Sequence, residues 1–148
     1  MKELFAATDE NGNEIKISLD NYKGQKIILY FYPKDNTSGC TQEACDFRDN
    51  INRLTSYATV IGVSPDSIKS HKSFKEKQSL NFILLSDPEH KLAEKFEVWK
   101  EKSMYGRKYM GIERSTFIID KNGKIEKEWR KVKVKDHVDE VIEYLIAI

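Results

Sequence analysis

The sequence contains only two cysteines and three histidines, and it has no long apolar run. No segment approaches the ~18 consecutive apolar residues of a membrane-spanning helix, and the first ten residues lack the apolar core of a signal peptide. Lysine and arginine total 25 against 24 aspartates and glutamates, so the net charge of +1 gives no general attraction to nucleic acid or to an acidic membrane. We therefore expect a cytoplasmic protein that binds neither nucleic acid nor membrane.

The small number of cysteines and histidines also limits the chemistry of the chain. Cys40 and Cys45 lie five positions apart, and a structural disulfide is not expected in the reducing cytoplasm. A closed zinc site needs four ligands, and none of the histidines, His71, His90 and His137, lies near a Cys-x-x-Cys pair. Two inert core thiols, half of a metal site and a redox pair all stay open, with the metal site the weakest. We expect the histidines to be surface residues without a catalytic task.

The length of the chain and the order of its extended runs predict a single domain over residues 1–148. A Glu-Asn-Gly-Asn turn between two short extended runs predicts an N-terminal hairpin. The nearly continuous apolar run from Lys26 to Tyr32 is typical of a strand buried on both faces. Further strands are predicted at 59–64 and 82–87, and Lys121-Asn122-Gly123 indicates a second hairpin.

Helices are predicted between these strands. Apolar residues at steps of four, three, four and three predict one amphipathic helix, and they are Cys40, Ala44, Phe47, Ile51 and Leu54. Ser64, Pro65 and Asp66 supply a cap, a first-turn proline and an acidic residue for a second helix that ends near Gln78. The charged run from Lys72 to Gln78 is expected to be a solvated face.

Two more helices complete the pattern, one at 89–98 and one at the end of the chain. Strand-helix-strand units followed by a hairpin and a closing helix predict an α/β fold whose central mixed sheet is covered by helices on both faces. A thioredoxin-like fold is the best match. On this layout the loop Pro33–Gly39 leaves the carboxyl end of a central strand and enters a helix, which is where open α/β sheets carry their sites.

Cys40 begins the helix after this loop, where unpaired backbone N–H groups and aligned peptide dipoles favour an anion. Its thiolate should therefore be stabilised. Because an ordinary thiol is a few per cent ionised at neutral pH, complete ionisation gains a factor of roughly 30 at most. Other groups must position and polarise a substrate, and Thr37 and Arg114 are the candidates. Taken alone, each would more simply be a turn residue or a surface ion-pair partner.

The segment FYPKDNTSGCTQEACDFRD resembles the active-site signature of peroxiredoxins, in the form of the peroxiredoxin Q group, also called the bacterioferritin comigratory protein group. Its Pro-x-x-x-Thr-x-x-Cys pattern falls on Pro33, Thr37 and Cys40. Similar segments recur along the chain, among them LYFYPKD, IGVSPDS, LLSDPEHKLAEKFEVW, YGRKYMGIERSTFIID and NGKI. The resemblance implies that Cys40 is the peroxidatic cysteine and Cys45 the resolving cysteine that some members carry in the same helix. Pro33, Thr37 and Arg114 would complete the pocket.

The resemblance also implies a reaction cycle. The Cys40 thiolate attacks hydrogen peroxide or an organic hydroperoxide and becomes a sulfenic acid, which condenses with Cys45 to a disulfide that a thioredoxin-type reductant reduces. No metal, haem or flavin is implied, and a monomer is expected because an intramolecular pair needs no partner subunit. Residues five apart on an intact helix differ by ~7.5 Å of rise and roughly 140° of rotation, beyond the ~7 Å limit for a disulfide. The helix must therefore unwind when the disulfide forms.

Two other functions stay open from the residues alone. A general thiol-disulfide oxidoreductase would use the cysteine pair but gain little from Thr37 or Arg114. A redox sensor or holdase would react with peroxide once, without turnover. Ser38 departs from the proline that this group more often carries there, which frees the loop backbone. An aromatic-rich segment is expected to border the site, to meet the reductant or to pack in the core, and it comprises Trp99, Tyr105, Tyr109 and Met110.

Overall fold

The computed structural model describes residues 2–148. Strands and helices alternate through most of this range, as the apolar pattern of the sequence predicts. The strands are β1 (Phe5–Thr8), β2 (Glu14–Ile17), β3 (Lys26–Phe31), β4 (Ala58–Ser64), β5 (Ile83–Ser86), β6 (Trp99–Met104), β7 (Arg107–Ile112), β8 (Ser115–Ile119) and β9 (Ile125–Trp129). The helices are α1 (Ser38–Asp49), α2 (Ile51–Leu54), α3 (Ile68–Gln78), α4 (Lys91–Lys95) and α5 (His137–Ala147), with a 3₁₀ turn at Leu19–Tyr22.

Seven of the strands form one mixed sheet in the order β2-β1-β5-β4-β3-β8-β9. Strands β3, β4 and β5 run parallel, because helices cross between them, while β1 and β8 pair antiparallel at either side. The predicted N-terminal hairpin is confirmed, and its first strand also joins the sheet beside β5. The predicted second hairpin is β8 and β9. The sheet therefore places β3 between β4 and β8, so that the loop after β3 opens at the centre of one sheet edge.

The sheet separates two apolar cores, because alternate residues of β3 point to opposite faces. Ile28, Tyr30 and Tyr32 pack with α1, α3 and α5 on one face. Ile27, Leu29 and Phe31 pack on the other face with residues of α4 and of the 3₁₀ turn. The prediction of a mixed sheet covered by helices on both faces is confirmed. The reactive end of α1 belongs to the first of these two cores.

The apolar stripe that begins at Cys40 is buried except at the partly buried Ile51, but it does not lie on one continuous helix. Helix α1 ends at Asp49, and Asn50 has φ −112° and ψ 11°, outside the helical region. The Asn50 side chain donates to the carbonyl of Asp46, so it competes with the backbone for the end of the helix. Both cysteines lie within α1, on the near side of this break.

The start of α3 differs from the prediction. The N-cap is Ser67, whose hydroxyl accepts from the Ser70 backbone, whereas Ser64 is the last residue of β4. The Ser64 hydroxyl donates to the Asp66 carboxylate instead of capping a helix. The charged run is also less solvated than expected, since Lys75 is buried and its ammonium donates to the Phe82 carbonyl. Burial lowers the pKa of Lys75 to about 8.

Two of the three histidines are buried, so the prediction of surface histidines is wrong for His71 and His137. His90 is half-buried and stacks on Trp99 with ring centroids 3.6 Å apart. The predicted helix at 89–98 is reduced to the five residues of α4. Within residues 2–148, no helix is long and apolar enough to cross a membrane.

Candidate active site

Cys40 lies in the first turn of α1, three residues after the N-cap Thr37. That turn carries no acidic side chain, so its unpaired N–H groups and the aligned peptide dipoles favour an anion at the thiol. The residue is 2% exposed and packs in the same core as Tyr30 and Tyr32. Both cysteines are free thiols. Cys40 is therefore a nearly buried thiol at a positively polarised helix end.

Arg114 brings a permanent charge to this thiol. The register of the sheet pairs Phe31 with Ser115, so the residue before β8 lies beside the loop that follows β3. The Arg114 Nη2 atom lies 3.3 Å from the Cys40 sulfur. Gly39 permits this approach, because a Cβ there would lie 3.3 Å from the same nitrogen. The topology thus brings the guanidinium to the sheet edge that carries Cys40, as predicted from the position of Arg114 before a strand.

The same guanidinium also binds a buried carboxylate. Glu43 lies three residues after Cys40, on the same face of α1, and its Oε1 atom accepts from Arg114 Nη1 at 2.6 Å. Burial raises the pKa of Glu43 to about 7, although Arg114 opposes the shift. Burial alone would lower the pKa of Arg114, but Glu43 and Cys40 outweigh it and raise that pKa above its ordinary value. Near neutral pH, one cation is therefore shared between a carboxyl group that is partly protonated and a thiol.

The second carboxyl oxygen of Glu43 has no hydrogen-bond partner in the described part of the chain. Among residues 2–148, Oε2 of Glu43 and the hydroxyl of Tyr30 are buried without a hydrogen-bond partner. Burial, then Glu43, then Cys40 raise the pKa of Tyr30 well above its usual range, which indicates that these groups share one low-dielectric region. Polar atoms without partners are costly in such a region, so these two atoms are exceptions to the usual pairing of buried polar groups.

Thr37 and Pro33 lie on the loop that leads into α1. Thr37 is exposed, and its hydroxyl donates to the Lys34 carbonyl at 2.8 Å, so its oxygen lone pairs remain available as acceptors. It is the N-cap residue of α1, although its side chain makes no capping hydrogen bond. Pro33 is half-buried directly after Tyr32. The loop therefore carries Thr37 to the entrance of the helix that contains Cys40.

Cys45 has a looser environment than Cys40. It is half-buried, and its thiol contacts Gln78 Oε1 at 3.6 Å, a weak sulfur hydrogen bond. Arg48 donates to the Gln78 carbonyl at 2.6 Å and so joins this part of α1 to the end of α3. Since α1 is continuous from Ser38 to Asp49, the two thiols lie on different sides of an intact helix.

Sequence reasoning misses two groups that the structure brings to this region. Glu43 could have been found, because it follows Cys40 by one helical turn and interrupts an otherwise apolar face. The second group is a buried polar network around Asp35 in the loop. The Asp35 carboxylate accepts from the Tyr32 hydroxyl at 2.6 Å, from the Ser70 hydroxyl at 2.8 Å, and contacts His71 Nδ1 at 2.7 Å. No local pattern predicts it, because its members are far apart in sequence.

These features of the fold and the site define a class of protein. A buried thiol at a helix N-terminus, with a guanidinium at 3.3 Å, is suited to thiolate attack on a small polar substrate whose developing charge the cation can stabilise. Within the described residues, no group of three or more His, Cys, Asp or Glu side chains is arranged as a metal site. The fold and the site together indicate a thiol-based redox protein.

Comparison with known proteins agrees with this class. The model of the AhpC/TSA family matches residues 3–128. The peroxiredoxin Bcp of Bacillus subtilis is 60% identical over 137 residues, which span 92% of this chain and 86% of that one. The peroxiredoxin Bcp of Escherichia coli is 42% identical over 142 residues, 95% of this chain and 90% of that one. A structure of the Xanthomonas campestris bacterioferritin comigratory protein, described with alkyl peroxide reduction activity, superposes with a TM-score of 0.91 at 40% identity and covers 98% of this chain and 90% of that one.

The chain belongs to the AhpC/TSA family, and it resembles the peroxiredoxin Q group within it. The predictions of a thioredoxin-like fold and of a thiol-dependent peroxidase are confirmed by these matches. The family also implies a peroxide substrate and a thiol reductant. The roles of the individual residues remain predictions.

Proposed function

We propose that this protein reduces hydrogen peroxide and organic hydroperoxides, with Cys40 as the peroxidatic cysteine, Cys45 as the resolving cysteine and thioredoxin as the reductant. The observation that carries the proposal is the 3.3 Å approach of Arg114 Nη2 to the Cys40 sulfur. It unites a nucleophile, a helix N-terminus and a fixed cation in one buried place. A general disulfide oxidoreductase would have no need of such a cation.

In the first step the Cys40 thiolate attacks one oxygen of the peroxide. A sulfur–oxygen bond forms, the oxygen–oxygen bond breaks, and the departing alkoxide or hydroxide takes up a proton to leave as alcohol or water. Sulfur is oxidised by two electrons and the peroxide is reduced by two. Negative charge moves from sulfur to the departing oxygen. Arg114 stabilises this charge during the transfer, because its guanidinium N–H groups lie beside the Cys40 sulfur. Thr37 orients the peroxide with its hydroxyl, and Pro33 shapes the loop around it.

In the second step the Cys45 thiol attacks the Cys40 sulfenic acid, a disulfide forms and water leaves. An intact α1 does not permit this bond, since residues five apart on a helix differ by ~7.5 Å of rise and roughly 140° of rotation. Helix α1 therefore unwinds between the two cysteines. The contact of Cys45 with Gln78 is weak, so the Cys45 side chain leaves its position more easily than the Cys40 side chain does.

In the third step a dithiol reductant of the thioredoxin type reduces the disulfide and becomes a disulfide itself. The net reaction converts a peroxide and a dithiol into an alcohol, water and a disulfide. We place this activity in antioxidant defence in the cytoplasm, and we assign residues 1–148 to one domain that acts as a monomer, without a metal, haem or flavin. Neither nucleic acid nor membrane takes part.

The experiment that tests the proposal adds one equivalent of hydrogen peroxide to the reduced protein, then counts free thiols and records the intact mass. We expect both thiols to disappear, the mass to fall by two hydrogens, and no covalent dimer to form. Thioredoxin with its reductase should then support repeated turnover. The matched control is Cys45→Ser, which should gain one oxygen at Cys40 and stop there.

Each other outcome removes a defined part of the proposal. If the wild-type protein gains oxygen while one thiol persists, Cys45 is not the resolving residue. If it reacts once and thioredoxin does not restore it, the protein is a sensor rather than an enzyme. If neither thiols nor mass change, Cys40 is not a peroxidatic cysteine.

A further inference from the structure

The buried network beneath the loop contains a hydrogen-bonded pair, Asp35 and His71. Both ring nitrogens of His71 have partners, Nδ1 at 2.7 Å from Asp35 Oδ2 and Nε2 at 3.1 Å from the Leu85 carbonyl. A carbonyl can only accept, so Nε2 carries a hydrogen and donates it. The Asp35 carboxyl group also accepts from the hydroxyls of Tyr32 and Ser70. Every polar atom of the two side chains therefore has a hydrogen-bond partner.

This pair is a costly way to stabilise a core. The side chains of His71 and Asp35 are 0% and 1% exposed, so both polar groups are removed from water. Burying polar groups is costly unless each is hydrogen-bonded, and the net gain in stability from such bonds is small. The main physical consequence of the pair is geometric, because only one arrangement of the two side chains satisfies all of their polar atoms.

The geometry that it fixes is that of the loop before Cys40. The Asp35 backbone N–H donates to the Asp66 carboxylate at 2.7 Å, so both its main chain and its side chain are held. Asn36 follows in the left-handed region with φ 63°, an unfavourable conformation that needs support from its surroundings. Thr37 comes next as the N-cap of α1. Only one residue separates the buried anchor from the side chain proposed to orient the peroxide.

We propose that the buried, hydrogen-bonded Asp35–His71 pair is a positioning unit for peroxide reduction, which fixes the loop that carries Thr37 and the start of α1 while the rest of the helix unwinds. The proposal rests on the proposed function, since Thr37 and Cys40 must act together on one peroxide. Neither Asp35 nor His71 touches the substrate. They act through the backbone of residues 35–37, and α3, which carries His71, is the fixed support.

The test compares His71→Gln and Asp35→Asn with Leu145→Ala, a core variant in α5 that lies outside the loop. Two rates are measured for Cys40: oxidation by hydrogen peroxide, and alkylation by iodoacetamide, which needs the thiolate but not the oriented peroxide. We expect oxidation in the two loop variants to slow by at least about tenfold, since misplacement by a fraction of an ångström suffices for that. Alkylation should slow by no more than about twofold, because it depends on thiolate supply and access alone.

A merely structural role predicts a different pattern. Leu145→Ala should lose stability and keep its oxidation rate, so an equal slowing in Leu145→Ala and His71→Gln at the same folded fraction would overturn the proposal. A His71→Gln protein with the wild-type oxidation rate would overturn it as well. Tyr32→Phe and Ser70→Ala each remove one hydrogen-bond donor to Asp35. These two variants serve as the test if His71→Gln and Asp35→Asn do not fold. Both should slow oxidation measurably, and no change in either contradicts the proposal.

Failure of the proposed function can be told from failure of this inference. If the wild-type protein does not react with peroxide, amide exchange at Asp35, whose N–H donates to Asp66, still reports on the anchor. Exchange there should be faster in His71→Gln than in Leu145→Ala at equal stability. Equal exchange in the two variants would show that the Asp35–His71 pair does not hold the loop.

Discussion

The two halves of α1 differ in how their cysteines are held. Cys40 is 2% exposed, lies at the helix N-terminus and has a guanidinium nitrogen at 3.3 Å. Cys45, five residues later, is half-buried and has only a 3.6 Å contact with the Gln78 amide. The difference suits a division of labour within one helix, because a nucleophile needs a fixed electrostatic setting and a resolving thiol needs freedom to move.

The largest expected difference between the two cysteines appears when each is replaced by serine. Cys40→Ser should abolish peroxide consumption, because a serine hydroxyl is not ionised at neutral pH and cannot be oxidised to a sulfenic acid. Cys45→Ser should retain the first oxidation at close to the wild-type rate. Rapid mixing with peroxide and quantification of residual peroxide measures both. A Cys40→Ser protein that still consumes peroxide would transfer the reaction to Cys45.

The next largest effect concerns the charge beside Cys40. Arg114→Ala should slow oxidation of Cys40 by about 10²–10³-fold, the cost found for removing one donor that stabilises developing charge in a transition state. Arg107→Ala is the matched control, since Arg107 is an exposed arginine at the end of the β6–β7 hairpin. Second-order rate constants for hydrogen peroxide measure the difference. Equal rates for the two variants would remove Arg114 from the reaction.

Glu43, which lies beside Cys40, should make the stability of the protein depend on pH. The pKa of Glu43 is about 7 in the folded protein against an ordinary 4.5, so the folded state binds more protons than the unfolded state between these values. The contribution of Glu43 to stability is therefore largest below pH 4.5 and falls as the pH rises toward 7. Over this range the stability of the wild-type protein relative to Glu43→Gln should fall by roughly 3 kcal/mol, measured by urea unfolding.

His137 supplies the mirror control for that measurement. Burial, and then Arg114, lower the pKa of His137 to about 4, so the folded state binds fewer protons than the unfolded state between pH 4 and 6.5. Its contribution to stability is present above pH 6.5 and is lost as the pH falls to 4. Relative to His137→Gln, the wild-type protein should thus lose roughly 3 kcal/mol on acidification, opposite in sign to Glu43. Slopes of equal sign would contradict both assignments.

The smallest expected effect lies at the other end of the helix. Arg48→Ala removes the hydrogen bond to the Gln78 carbonyl and should ease the release of the second half of α1. Loss of about 1 kcal/mol from the folded helix would speed disulfide formation by about fivefold without changing the first oxidation. The rate of water loss from the sulfenic acid form, followed by quenched mass spectrometry, measures this. Lys77→Ala, at an exposed position of α3, is the control, and an equal effect there would show that Arg48 does not restrain the helix.

The sequence alone predicts most of the fold because its signals are local. Apolar runs mark β3, β4 and β5, turn residues mark the β1–β2 and β8–β9 hairpins, and the spacing of apolar residues marks α1 and α5. The β6–β7 hairpin is not predicted from the sequence. Other errors occur where a side chain competes with a local pattern. Asn50 breaks the stripe that begins at Cys40, and the Ser64 hydroxyl bonds to Asp66 instead of starting α3.

The candidate site is predicted only in part. Cys40, Thr37 and Cys45 lie on one short segment, and the position of Arg114 follows from the pairing of β3 with β8. The hydrogen bond of Asp35 with His71 joins residues 36 positions apart, so no local pattern predicts it. A histidine in a polar run therefore suggests the surface, although the structure places it in the core.

The most direct test of this account is amide exchange along α1 and the preceding loop, in the reduced and in the disulfide-bonded protein. The account predicts that exchange across residues 41–49 becomes much faster in the disulfide form, because the helix must unwind for Cys40 and Cys45 to meet. It also predicts that Asp35, held by His71 and Asp66, stays equally protected in both forms. Unchanged protection across residues 41–49 in a protein that has formed the disulfide would contradict the account.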